Sequence, residues 1–147
     1  GSGPEEERRA ELASDRDNVR LLPATNAIGA RLAACSAVVV PSRYEASGLV
    51  ATEARMAGRP VLVAAIDGLP EQVRSGGGVA APMRNAAEIA CAIIRLKGAD
   101  LPTMGRAARA GVMQQHDEII TGWQAVLRRA EPLRKKAGVQ PAMAASA

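Results

Sequence analysis

A chain of 147 residues with a net charge of +4 is long enough for one domain with its own core. With no Phe, one Trp and one Tyr, that core must be aliphatic and rich in alanine. No apolar run is long enough to span a bilayer, and there is no signal-peptide pattern.

The charge is concentrated. Arg128, Arg129, Arg134, Lys135 and Lys136, less Glu131, account for all of it, so the rest of the chain is neutral overall. Nucleic-acid binding would call for a basic face and aromatic stacking platforms, and neither is evident. A basic tail of this kind is solvated or touches an anionic membrane surface. Cys35 and Cys91 lie far apart with no metal-like spacing and read as two buried thiols in a reducing compartment. The expected location is therefore cytoplasmic, with peripheral contact to the inner face of a membrane through the basic tail as the alternative to solvation.

In chain order, residues 4–14 predict a charged helix that starts on proline with acids early. Residues 19–22 predict a short strand, and 26–35 a helix with Ile28, Leu32 and Cys35 on one side. Residues 37–41, short and β-branched, read as a fully buried parallel strand. Residues 48–57, free of proline and rich in Leu, Ala, Met and Glu, predict a helix. A strand follows at 60–65, ending in the Asp67-Gly68 turn, then a short helix at 69–74. Gly76-Gly77-Gly78 is a turn and not a P-loop, because no Lys with Ser or Thr follows it at a helix start. A brief strand at 79–81 leads to a helix capped by Asn85 and running through Lys97, with Ala86, Ile89, Ala90, Ile93, Ile94 and Leu96 as its apolar positions. Two more helices are expected at about 100–114 and 116–130. The expected domain covers 1–130, followed by a basic tail over 131–147 whose end from Ala137 is disordered.

Strands alternating with helices imply an α/β fold with a parallel, doubly wound sheet. In such sheets ligands bind beyond the carboxyl ends of the strands, which directs attention to Pro41 through Ala54. At about 100° per residue, Val50, Ala51, Ala54, Met56 and Ala57 fill one arc of the helix there, with Thr52 and Arg55 opposite. Glu53 falls within the apolar arc, where a carboxylate is costly unless it is hydrogen-bonded. An ion pair with Arg43 or Arg59, or a cap to a neighbouring loop, would meet that need as well as a ligand would. The spacing of Glu45 and Glu53 favours the ligand. Between them the amides of Ser47, Gly48, Leu49 and Val50 open a helix whose dipole favours an anion, and Gly48 allows close approach. The pattern describes a diphosphate seat flanked by two carboxylates.

At these residues the chain resembles the retaining glycosyltransferases of the two-domain GT-B fold, above all glycosyltransferase family 4, whose donor-binding half carries a Glu-x7-Glu motif. Glu45 and Glu53 match that motif, and Pro41-Ser42-Arg43-Tyr44-Glu45 matches the turn opening it. The resemblance extends from Gly1-Ser2-Gly3-Pro4-Glu5 through Asn18-Val19-Arg20-Leu21-Leu22, Glu53-Ala54-Arg55-Met56-Ala57-Gly58-Arg59-Pro60-Val61 and Gly68-Leu69-Pro70-Glu71, spanning roughly positions 1 to 127. It implies a Rossmann-like parallel sheet with helices on both faces, the incomplete C-terminal half of a GT-B fold carrying the last four of six strands. The first of those four would lack its usual neighbours.

The resemblance also implies transfer of a hexose from a nucleotide-sugar with retained configuration, without a metal or other cofactor. Glu45 would contact the transferred sugar near the reacting centre, as the catalytic residue. Glu53 would accept from the two ribose hydroxyls, and the backbone of Ser47, Gly48, Leu49 and Val50 would hold phosphate or sugar. The chain near Ala24 and Thr25 would cradle the base. Partners would be the nucleotide-sugar donor, an acceptor of unknown type and a missing N-terminal domain. Ser47 stands where the family often has an aromatic residue, and the family's basic phosphate-binding pair has no counterpart here. The chain is therefore expected to be inactive alone and to bind nucleoside diphosphate weakly or not at all. Two alternatives stay open: a non-catalytic Rossmann-like binding module and a GT-B sugar-nucleotide epimerase.

Other signals read as structural. Asp15-Arg16-Asp17 is expected to be a solvated turn. His116 is expected in a late helix away from the motif turn. Glu71 is expected to order the loop after Gly68, with a place near the donor and a purely structural role both open.

Overall fold

The computed structural model describes residues 3–136, with side chains to Ala130. Gly1, Ser2 and the tail from Ala137, where the sequence predicts disorder, lie outside the described residues.

The fold is built on three β-branched or small-residue runs, Val38–Val40 (β1), Val61–Ala64 (β2) and Gly78–Ala81 (β3). They form a parallel sheet in the order β1-β2-β3. Val38 pairs with Val61 and Val40 with Val63, while Val61 and Ala64 pair with Gly78 and Ala81. The central strand β2 is buried along its whole length, as a strand covered on both faces must be.

Alternation along β2 sends successive side chains to opposite layers. Val61 and Val63 pack with Leu32 of α2 (Ile28–Ala33), Ala51 and Ala54 of α3 (Leu49–Met56) and Leu69 of α4 (Leu69–Gln72). Leu62 meets Ala92 and Leu96 of α5 (Ala86–Lys97), together with Leu101 and Met104 of α6 (Leu101–Lys136). The Asn85 cap forms as its sequence predicts, its Oδ1 accepting from the Glu88 amide at 3.0 Å.

Helix α6 comes close to the rest of the fold because its inner positions are small. Gly105 lies against the Gly58 carbonyl, Ala108 against Gly77, and Gly111 against Ser75 and Arg55. A side chain at Gly105 or Gly111 would collide with those groups. This contact lays α6 against α3, starting from the carboxyl end of α3 at Arg55 and Gly58.

Several expectations change. Residues 19–22 form no strand, and Val19, Leu21 and Leu22 are exposed. A strand needs an edge to pair with, and the free edge of β1 is not used by this segment. With one neighbour only, β1 is not the fully buried strand expected, and Val39 is exposed. Of the helix side expected from Ile28, Leu32 and Cys35, only Leu32 is buried, and Cys35 lies beyond α2.

The helices expected at 100–114 and 116–130 are one helix, α6, which continues to Lys136 beyond the expected boundary at 130. No proline or glycine interrupts Met113 to Ile120, and Gln114 Nε2 bridges to Glu118 Oε1 at 2.8 Å across the proposed break. Both cysteines are exposed: Cys35 lies beyond the end of α2, its thiol donating to the Arg31 carbonyl at 3.2 Å, and Cys91 lies on an outward position of α5. On α5, Ala92 and Leu96 take the inward face while Ile93 and Ile94 look out.

Helix α1 (Glu6–Ser14) has no buried residue.

Candidate functional site at the turn between β1 and α3

After β1 the chain turns through Pro41 to Gly48 and enters α3 at its N-cap, Gly48, whose φ of 63° is left-handed. That conformation favours glycine. A Cβ here would also collide with Gln72 Nε2 and lie 2.8 Å from Leu69 Cδ2. Glycine cannot cap the helix with a side chain, and Glu45 caps the amides just ahead of it. Its Oε1 accepts from the Gly48 amide at 2.9 Å and from the Ser47 amide at 3.4 Å, while Oε2 accepts from the Ser42 hydroxyl at 3.2 Å. The Gly48 amide first, then that of Ser47, hold the Glu45 carboxyl below the ordinary value for a glutamate.

The following loop braces this turn. The Glu45 amide donates to Asp67 Oδ2 at 3.0 Å, from a residue that itself has a φ of 45°. Gln72 Nε2 donates to the Ser47 carbonyl at 2.9 Å and to that of Gly48 at 3.4 Å, and its Oε1 accepts from the Thr52 hydroxyl at 3.2 Å.

The fold thus brings Glu45, Ser47, Gly48, Leu49 and Val50 together on one turn. Two of the four amides expected to be open are occupied by the chain's own carboxylate. Leu49 and Val50, as the first two residues of α3, have no intrahelical acceptor for theirs. Glu53 lies one turn on from Leu49, about 6 Å along the axis.

Glu53 is exposed and forms no ion pair with Arg43 or Arg59 among the described residues. Arg59 Nη2 instead donates to the Ala33 carbonyl at 2.6 Å. The arc containing Leu49, Val50, Glu53 and Met56 faces outward, and Arg55, expected opposite the apolar arc, is 2% exposed beneath α6. Helix α3 is therefore rotated relative to its apolar arc: Ala51 and Ala54 face the sheet and Arg55 faces α6, where its Nη1 donates to Gln115 Oε1 at 3.4 Å. Burial lowers the pKa of Arg55 from its ordinary value.

Thr25 stands apart. It is exposed, and its hydroxyl accepts from the Ala27 amide at 3.0 Å in a local turn.

Two cavities border the motif turn. One of about 590 Å³ lies at the carboxyl ends of the strands, between Ser42, Arg43, Ile66, Met83 and Arg84. The other, about 430 Å³, is bounded by Ser47, Thr52 and Gln72 and by Met113, His116 and Ile119 of α6. His116 thus lines a cavity that Ser47 of the motif turn also lines, nearer than expected, because the small-residue contact of α6 brings that part of the helix alongside α3. Asp67, Gln72 and Ser42 also act on the turn. The Asp67-Gly68 turn was a visible signal for the first, whereas nothing marked Gln72. Among the described residues, no group of three or more His, Cys, Asp or Glu could hold a metal ion.

Residues 1–109 match the model of the family described as glycosyl transferases group 1. D-inositol 3-phosphate glycosyltransferase 1 of Catenulispora acidiphila is 45% identical over 82 residues, covering 55% of this chain and 19% of that protein. The D-inositol 3-phosphate glycosyltransferase of Streptomyces bingchenggensis is 38% identical over 91 residues, 61% of this chain and 19% of its own length. The chain thus spans about a fifth of these curated relatives. Among solved structures, the sucrose-phosphate synthase of Thermosynechococcus elongatus superimposes with a TM-score of 0.69 at 29% identity, over 95% of this chain and 38% of that one. The parallel sheet with helices on both faces corresponds to part of the C-terminal half of a GT-B fold.

Proposed function

The chain belongs to the glycosyl transferases group 1 family, and from that premise we propose that it is the nucleotide-sugar-binding part of a retaining hexosyltransferase of the Glu-x7-Glu kind. The acceptor would be supplied by a further domain, and no metal would be required.

The observation that carries this reading is the Glu45 cap. The amides of Ser47 and Gly48 already converge on one carboxylate oxygen, at 3.4 and 2.9 Å. Groups that hold one anion this way are arranged to hold another, and a diphosphate brings more oxygens and more charge than a carboxylate. On donor binding, Glu45 would release the amides and turn toward the transferred sugar. The released amides, together with those of Leu49 and Val50, would then stabilise the negative charge that grows on the departing diphosphate. Glu53, exposed on the same helix, has two oxygens that suit a vicinal diol such as the ribose hydroxyls. Thr25 would approach the base. The basic residues near the end of α6 would permit contact with an anionic membrane surface from the cytoplasmic side.

The test is amide-resolved NMR of the chain during titration with a nucleoside diphosphate to millimolar concentration. Weak binding that shifts Ser47 through Val50 and is abolished by Glu53→Ala is expected. Shifts confined to other parts of the chain, no shifts at all, or micromolar binding unchanged by Glu53→Ala would overturn the assignment.

A further inference from the structure

The peptide linking Ser47 to Gly48 is held at both ends. Its N–H points to Glu45 Oε1 at 2.9 Å, and its carbonyl accepts from Gln72 Nε2 at 2.9 Å. A trans peptide is planar, with its N–H and C=O directed oppositely, and there are no cis peptides among the described residues. Whatever fixes the carbonyl therefore aims the N–H.

We propose that Gln72 is a positioning residue that aims the Gly48 amide at the donor diphosphate. The inference rests on the functional reading given above and adds a residue to it. Glu45 cannot keep the amide aimed once the diphosphate has displaced it. Gln72 can, because it acts from the opposite side of the peptide plane and touches neither anion.

The orientation of the Gln72 amide is itself determined. The Ser47 and Gly48 carbonyls lie on the side facing Nε2 and can only accept, whereas the Thr52 hydroxyl at 3.2 Å from Oε1 can donate. Reversing the amide would set oxygen against oxygen at the turn. Thr52 belongs to α3 and Gln72 to α4, so the latch ties the helix carrying Glu53 to the loop carrying Asp67. The absence of a side chain at Gly48 is what admits Gln72, since a Cβ there would collide with Nε2.

The experiment is amide hydrogen exchange with nucleoside diphosphate titration, on the chain and on Gln72→Leu, Gln72→Glu and Gln72→Lys. Leucine removes the donor and glutamate replaces it with an acceptor. Lysine keeps a donor at comparable reach. For the leucine and glutamate variants, exchange at Ser47 and Gly48 should rise about tenfold, matching the loss of one hydrogen bond of ordinary net strength. Exchange at Val61 to Ala64 should stay unchanged. Diphosphate affinity should fall about tenfold in the same two variants, and Gln72→Lys should recover the protection of the turn.

Wild-type exchange at the turn in both Gln72→Leu and Gln72→Glu, or a rise that spreads equally to β2, overturns the latch. So does unaltered diphosphate affinity in those variants where the wild-type chain binds. If the wild-type chain shows no diphosphate response, the functional reading fails, and with it the aim assigned to Gln72. The exchange data would still show separately whether the turn is latched.

Discussion

Two stretches of this chain carry apolar, strand-like runs ahead of a residue assigned to the donor site, and they have different outcomes. Val38–Val40 becomes β1 and delivers Glu45 into a turn braced by Asp67 and Gln72. Val19 to Leu22 stays irregular and exposed, and Thr25 beyond it makes a local turn contact. Local propensity differs in degree, since Val38–Val40 is wholly β-branched while Val19 to Leu22 has one β-branched residue and carries Arg20. The first run finds Val61–Ala64 alongside it, in register through hydrogen bonds, and the second pairs with no strand of this sheet. A strand is thus a non-local object, and a site residue is only as well placed as the pairing behind it.

The comparison is broken most severely in the core. Leu62→Ala removes a side chain that is fully buried between the sheet and α5, and should cost about 2–5 kcal/mol of unfolding free energy. Leu21→Ala removes one that is 53% exposed and should stay within about 0.5 kcal/mol of the parent. Urea denaturation of both variants measures the contrast. Comparable losses would mean that residues 19–22 pack in solution.

Glycine substitutions should separate the stretches by sign. Gly48→Ala forces a Cβ into a left-handed residue and against Gln72, which should destabilise by about 1–3 kcal/mol. Gly29→Ala, within α2 and with open space around it, should stabilise by about 0.4–1 kcal/mol. Thermal melts of the two would test this, and a destabilising Gly29→Ala would show that α2 is packed more tightly than it is here.

How much of this was legible depends on sequence separation. The Glu45-to-Glu53 pattern, the helix after Gly48 and the Asn85 cap are local signals that can be read along the chain, whereas the strand runs can be read but not which of them pair. What escaped involves contacts across many residues. The burial of Arg55 depends on α6, which reaches it only because Gly105, Ala108 and Gly111 are small. The same approach puts His116 on a cavity shared with Ser47, and nothing local to His116 signals it. Leu49, Val50 and Met56 look like a core face on a helical wheel, yet Ala51 and Ala54 take the sheet because small side chains let the helix sit close.

The smallest expected effect concerns acid, and its sign follows from the cap. The Ser47 and Gly48 amides hold the Glu45 carboxyl below its ordinary value in the folded chain, so the folded state favours the carboxylate. Its contribution to stability is complete above the pKa of an unfolded glutamate and is lost as pH falls through the lowered folded value. Glu88, lowered by Arg84, and Asp100, lowered by Thr103, act in the same direction, so the wild-type urea midpoint should fall on acidification for more than one reason. Glu45→Gln isolates the motif turn. The variant should be slightly less stable than the parent at neutral pH, because a neutral amide oxygen accepts more weakly from Gly48 than a carboxylate does. The two midpoints should converge below the acid transition, where the parent has lost its own charge. Parallel midpoint curves across the whole pH range would mean that the cap does not form in solution, and the argument that these amides are built to hold an anion would lose its basis.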